Sequence, residues 1–192
     1  MMLAGRHLSR VCLLLALWLP QAVLSEQQPD PELREVLRAA ASAADSFDDR
    51  FHAEVWLTDM SRRLERQVKD ADERMRILTR VHYEASLVGL EPELVLAVID
   101  VESNFDPYAI SVAGALGLMQ VMPFWRNEIG RPNDNLIRLE TNLRYGCTIL
   151  KFYLDKENGD LRRALGRYNG SLGKRDYPNR VVKRLSEKWY QI

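Results

Sequence analysis

At 192 residues the chain has room for one domain of ordinary size plus an N-terminal addition, and such a domain can bury its own core. Apolar residues make up 46% and aromatics 8%, which argues for a folded soluble protein and against a disordered one. The 27 basic and 27 acidic residues cancel, so no strong net charge points to nucleic acid, and no nucleic-acid partner is expected.

The charge is unevenly spread. From Leu161 to Ile192 there are nine Lys or Arg against Asp176 and Glu187. A basic end of this kind can attract a polyanion, but a solvated helix face is the commoner reason for it.

The chain opens with Arg6, His7 and Arg10, the apolar run Val11 to Leu19, Pro20, and a small-residue end at Val23-Leu24-Ser25. This is the layout of a cleavable export signal over residues 1–25, and it implies a periplasmic protein. The run is shorter than the roughly 20 residues a spanning helix needs. Cys12 stands at the start of that run and not after it, which does not fit a lipid-attachment cysteine. Cleavage would leave Cys147 alone, unable to form an internal disulfide and best read as a small buried hydrophobe.

Residues 26–76 read as an N-terminal helical segment. Gln27 to Pro31 is a short linker, and alanine-rich Pro31 to Ala44 favours helix. After a break at Asp45 to Asp49, Phe51 to Arg80 returns to helical character, with Val55, Leu57, Met60, Leu64, Val68, Met75 and Leu78 spaced mostly by three or four. The helical character continues through Ile77 to Val88, and Gly89 supplies a C-terminal cap. Glu91-Pro92-Glu93 then opens a helix running through Leu94 to Ser103.

On that helix Glu102 lies above Val98 and Ile99, with Val95 further back on the same side. Asp100 is turned away by about 200° and is expected to meet water. Asn104-Phe105-Asp106-Pro107 breaks the helix, and Gly114 and Gly117 punctuate a tight connection. Met119, Val121 and Met122 suggest a buried stretch in which Gln120 is the polar exception. Phe124 to Leu139 is loop-like.

Glu140 to Lys156 is a core helix by its spacing of Leu143, Cys147, Leu150 and Leu154. Asn158-Gly159 ends it, and Asp160 caps a helix over Leu161 to Tyr168. A turn at Asn169 to Gly173 leads to a closing helix, Val181 to Tyr190, with Val182, Leu185 and Trp189 inward. No alternating strand pattern is present, so the domain is expected to be all-α.

The functional residue types narrow the chemistry. His52, His82 and Cys147 have no metal-ligand spacing, so neither a metal site nor a cofactor is expected. No Ser-His-acid set suggests itself, and Gly114 and Gly117 lack what a phosphate loop requires. Acid and base chemistry on a carboxylate remains. At the end of an apolar face Glu102 would lose hydration and hold its proton to higher pH, as a general acid must. Periodicity alone favours an acid fraying into solvent at a helix end.

Ordered blocks then add a resemblance. Pro92-Glu93-Leu94, Glu102-Ser103, Ala109-Ile110-Ser111, Gly114-Ala115, Gly117-Leu118-Met119-Gln120, Met122-Pro123, Asn142, Gly146, Tyr168-Asn169-Gly170 and Tyr177-Pro178 resemble the soluble lytic transglycosylases of bacteria. The likeness covers residues 77–192 and implies a lysozyme-like (goose-type) helical domain, preceded here by N-terminal helices. It implies Glu102 as the single acid and base, and sugar contacts at Ser111, Gln120, Met122, Tyr168 and Asn169. Each of these five also has a structural reading, as turn, satisfied amide or packing residue. Arg167 before the Tyr-Asn pair and Gly170-Ser171 after it depart from the family pattern of alanine before and Ala-Gly after.

The activity so implied is cleavage of the β-1,4 bond between N-acetylmuramic acid and N-acetylglucosamine in peptidoglycan glycan strands, forming a 1,6-anhydromuramoyl product. Two alternatives stand beside it: a hydrolytic muramidase using Asp106 or another acid, and a non-catalytic wall-binding or scaffold module.

Overall fold

The computed structural model describes residues 46–190 apart from Asp48. The export signal expected at 1–25 and the helix expected from Pro31 to Ala44 lie outside those residues.

Helix α1, Arg50–Leu64, starts where the Asp49 side chain accepts a 2.9 Å hydrogen bond from His52 N. The helical character expected from Phe51 to Arg80 is interrupted, because the chain leaves the helix after Leu64 and α2 begins afresh at Ala71–Val88. Asp70 accepts from Glu73 N at 2.7 Å and so caps a new first turn. The intervening turn is tied down by buried Arg74, which donates to Val68 O and Lys69 O, both at 2.8 Å, and to Ser61 Oγ at 3.1 Å. Val68 kept the apolar rhythm going because it is buried inside that turn. Periodicity cannot tell a buried turn from a helix.

Gly89 ends α2 in the left-handed conformation at φ 71°, its N–H bonding back to Ala85 O and Ser86 O. Helix α3, Pro92–Glu102, follows with proline in its first turn. Every residue from Leu94 to Asp100 is buried, because α2 packs on one side and the C-terminal helix and closing turn on the other. A helix apolar nearly all round is a core helix.

This placement overturns the expectation for Asp100. Its carboxylate is buried and takes Lys188 Nζ at 2.9 Å, Trp189 Nε1 at 3.2 Å and Arg184 Nε at 3.5 Å. The face opposite Glu102 does not meet water. It anchors the chain's closing turn.

A short α4, Trp125–Ile129, interrupts the expected loop. Helix α5, Leu139–Lys156, is close to its expected span, and α6, Leu161–Tyr168, matches it, with Asp160 accepting from Arg163 N at 3.1 Å. Cys147 is fully buried, which pushes its thiol far up. Helix α7, Asp176–Arg184, begins five residues before the expected closing helix and passes into one π-helical turn, Leu185–Trp189. Pro178 falls in its first turn, where the missing N–H costs nothing. Val181 is the fully buried valine, and Val182 is only partly covered. The described residues contain isolated bridges, Ile110 with Leu116 and Leu116 with Val121, and no strand.

Candidate active site

Glu102 is the last residue of α3, carried on a helix packed all round, and its carboxyl stands where that packing opens. The chain reverses immediately after it. Asn104 and Phe105 adopt left-handed conformations at φ 50° and 66°, an arrangement that costs about 1–2 kcal/mol per non-glycine residue. Burial of the Phe105 ring against Trp189, at a centroid distance of 5.5 Å, offsets that cost. Asp106 is exposed and occupied locally, its Oδ1 accepting from Tyr108 N at 2.9 Å.

The loop from Ala109 to Val121 lies on α5, and a single buried side chain holds it there. Asn142 Oδ1 accepts from Met119 N, and its Nδ2 donates to Leu116 O and Leu136 O, each at 2.8 Å. Two glycines permit the approach. A Cβ on Gly117 would lie 2.5 Å from Asn142 Nδ2, and one on Gly146 would lie 2.2 Å from Met119 Sδ.

Within this loop Ser111 Oγ accepts from Ala115 N at 2.9 Å, which leaves its own hydrogen to donate. Gln120 sits at φ 49° and spends both amide hydrogens on the loop, donating to Gly117 O at 2.9 Å and Ala109 O at 3.1 Å. Its carbonyl oxygen remains an acceptor. Met122 is half-buried where the loop turns into α4. These three therefore belong to one braced loop or its exit, each with a structural role there.

The opposite wall comes from the end of α6 and the start of α7. Tyr168 donates its hydroxyl to Met119 O at 2.7 Å, joining that wall to the loop. Burial and the charge of Glu102 push its phenol well above the usual range. Asn169 caps α6 and acts directly on Glu102. Arg167, the departure before the Tyr-Asn pair, folds back onto Glu157 with Arg163 and takes no part in the wall.

Two residues on α7 were not singled out as site residues from the sequence. The Tyr177 hydroxyl is buried and lies beside Glu102, whose ionised form it favours. The Arg180 guanidinium stands 5.9 Å from the Tyr177 ring centroid and acts on Glu102 through space. Tyr177-Pro178 belonged to the quoted blocks, but nothing local tied it to a site seventy-five positions earlier.

Burial pushes the Glu102 carboxyl above the ordinary glutamate value, and Tyr177, Arg180 and Asn169 oppose that rise without cancelling it. A raised value keeps the proton on as pH increases. If the protonated form is the reactive one, kcat/KM falls as pH rises through the raised value, so the alkaline limb lies above the ordinary glutamate range. Tyr177→Phe removes a group that favours the ionised form and should move that limb further up. A pH series on both proteins checks this, and a limb at the ordinary glutamate value would contradict it.

A cavity of about 550 Å³ lies elsewhere, lined by Phe51, Trp56, His82, Glu93 and Trp189 among others, and contains none of these site residues.

The transglycosylase SLT domain family matches residues 81–190. The transglycosylase of Enterobacteria phage PRD1 is 33% identical over 105 residues, covering 51% of this chain and 38% of that protein. Membrane-bound lytic murein transglycosylase C of Yersinia pestis (strain Pestoides F) is 32% identical over 114 residues, covering 51% of this chain and 32% of that protein. Among solved structures, an inactive mutant of the lytic transglycosylase Slt from Pseudomonas aeruginosa aligns at 21% identity and a TM-score of 0.44, covering 82% of this chain and 31% of that one. The chain thus spans less than two fifths of the length of these curated relatives.

Proposed function

The chain belongs to the transglycosylase SLT family, and from that premise we propose that it is a peptidoglycan lytic transglycosylase whose single acid and base is Glu102. Glu102 protonates the oxygen bridging N-acetylmuramic acid and N-acetylglucosamine as the β-1,4 bond breaks. Now ionised, it takes the proton of the muramoyl C6 hydroxyl, which attacks C1 and closes the 1,6-anhydro ring. No water is consumed.

The observation that carries this reading is the composition of the Glu102 surroundings. A retaining glycosidase places a second carboxylate about 5 Å away, and an inverting one places it somewhat further. The polar groups acting on Glu102 are instead a hydroxyl, a guanidinium and an amide, while Asp106 is exposed and held by its own loop. With no carboxylate among the described residues that act on Glu102, the substrate's own hydroxyl is the fitting nucleophile. Ser111, Gln120, Met122, Tyr168 and Asn169 are assigned to hold the sugars, where positioning supplies several kcal/mol. The proposed domain occupies residues 77–192.

Action on glycan strands also requires a location outside the cytoplasm. The charged-apolar-small layout of residues 1–25 supports export to the periplasm. No helix among the described residues is long and apolar enough to cross a membrane.

Mass spectrometry of sugars released from purified peptidoglycan tests the assignment. Anhydromuramoyl ends are expected. Reducing muramic ends would instead establish a hydrolytic muramidase on the same scaffold, and binding without release would indicate a wall-binding module.

A further inference from the structure

A second cavity, of about 340 Å³, opens between α7 and the last turn of α3 and is lined by Asp100, Val101, Arg180, Lys183, Arg184 and Glu187. Asp100 and Val101 immediately precede Glu102 in the chain. Most of its charges are already committed to each other. Arg184 and Lys188 neutralise Asp100, and Lys183 lies 3.9 Å from Glu187 one helical turn on. Elsewhere on this basic end, Arg163 and Arg167 are both used by Glu157.

Arg180 differs. It is exposed, stacks loosely on Tyr177, and has no ion pair or hydrogen bond among the described residues. It makes no direct ion pair with Glu102, although its charge reaches that group. A direct pair would hold Glu102 ionised, contrary to its use as an acid. The guanidinium therefore lines the cavity beside the Tyr177 ring with its fork of donors unspent, and such a fork recognises a carboxylate.

We propose that Arg180 forms a subsite for a carboxylate carried by the substituent of the muramoyl sugar at the scissile bond. The inference rests on the transglycosylase reading above and extends it to substrate selection. The muramoyl lactyl group hangs from C3, two ring carbons from the C1 whose bond breaks. Its carboxyl is free in stripped glycan and amide-linked in peptide-bearing glycan, whose stem peptides carry carboxylates of their own. Either source presents the same ligand chemistry, and an arginine that read it would discriminate against neutral glycan of the same backbone.

The test compares wild type, Arg180→Met and Arg180→Lys on four substrates: stripped glycan and peptide-bearing sacculi, each before and after carbodiimide amidation of its carboxyl groups. A charge-assisted contact predicts that amidation lowers wild-type kcat/KM by about ten- to a hundred-fold. Arg180→Met keeps an apolar side chain over Tyr177, loses a similar factor on unmodified substrate, and no longer distinguishes modified from unmodified. Arg180→Lys recovers part of the difference. Sensitivity on stripped glycan identifies the lactyl carboxylate, and sensitivity confined to sacculi identifies the stem peptides.

Amidation that leaves the wild-type rate unchanged on both materials overturns the proposal, and so does an Arg180→Met loss of equal size on modified and unmodified substrate. The wild-type arm does not depend on the variant folding. Absence of anhydro product from every substrate would refute the transglycosylase reading itself.

Discussion

Glu102→Gln is expected to lower the rate of glycan cleavage by about a thousand-fold or more while leaving glycan binding and the fold intact. General acid and base steps are each worth roughly 10²–10⁴-fold, and in the proposed mechanism one carboxyl performs both in turn. The amide fills the same space and still hydrogen-bonds, but it can neither deliver a proton to the bridging oxygen nor remove one from the C6 hydroxyl. Release of soluble sugars measures the loss, and co-sedimentation with insoluble peptidoglycan measures retained binding. Undiminished release by this variant would sink the assignment of Glu102.

The same variant carries a stability signature. The folded-state value of Glu102 is raised by burial, so the folded protein holds that proton more tightly than the unfolded chain does. Its stabilising contribution is complete at pH values below the ordinary glutamate value and is lost as pH rises through the raised one. Glutamine has no such dependence. Wild type should therefore weaken relative to Glu102→Gln across that window, and paired urea melts at a series of pH values measure it. A difference that does not change with pH would mean that the carboxyl is well solvated.

Asn142→Ala is expected to be the most damaging single change to the loop. It removes three hydrogen bonds, leaving Met119 N and Leu136 O without their partner and Leu116 O with Val121 N alone at 3.0 Å. Unsatisfied buried groups cost roughly 1–3 kcal/mol each, so a loss of about 3–5 kcal/mol is expected after partial relaxation. Urea unfolding measures it. Activity should fall further than stability alone would explain, because Met119 O is also the acceptor for Tyr168 and the loop carries Ser111 and Gln120. Asn142→Asp keeps an acceptor for Met119 N but turns a carboxylate oxygen toward two carbonyls, so it should not rescue the fold at neutral pH. A full rescue by aspartate would mean that the Nδ2 bonds contribute little.

Much of this molecule could be read along the chain. The α5, α6 and α3 spans, the caps at Gly89 and Asp160, and the proline opening α3 all depend on residues within a few positions of one another. Glu102 was legible as a carboxyl on an apolar face for the same reason. Where local information was ambiguous the reading failed. Val68 continued a helical rhythm through a turn because burial alone sets that rhythm, and the start of α7 was missed because Asp176, Tyr177 and Pro178 form no apolar stripe.

The sequence by itself therefore determined the helical class, most helix boundaries and a single candidate acid, since helix formation and capping are settled by near neighbours and apolar period. Only the tertiary structure decided what the polar residues do. Asp100 anchors the closing turn, Asn142 braces the loop, and Tyr177 and Arg180 face Glu102, because α5 and α7 are brought against α3 and the loop from far along the chain. A buried polar side chain takes its role from its partner, and those partners lie tens of residues away, where no local pattern records them.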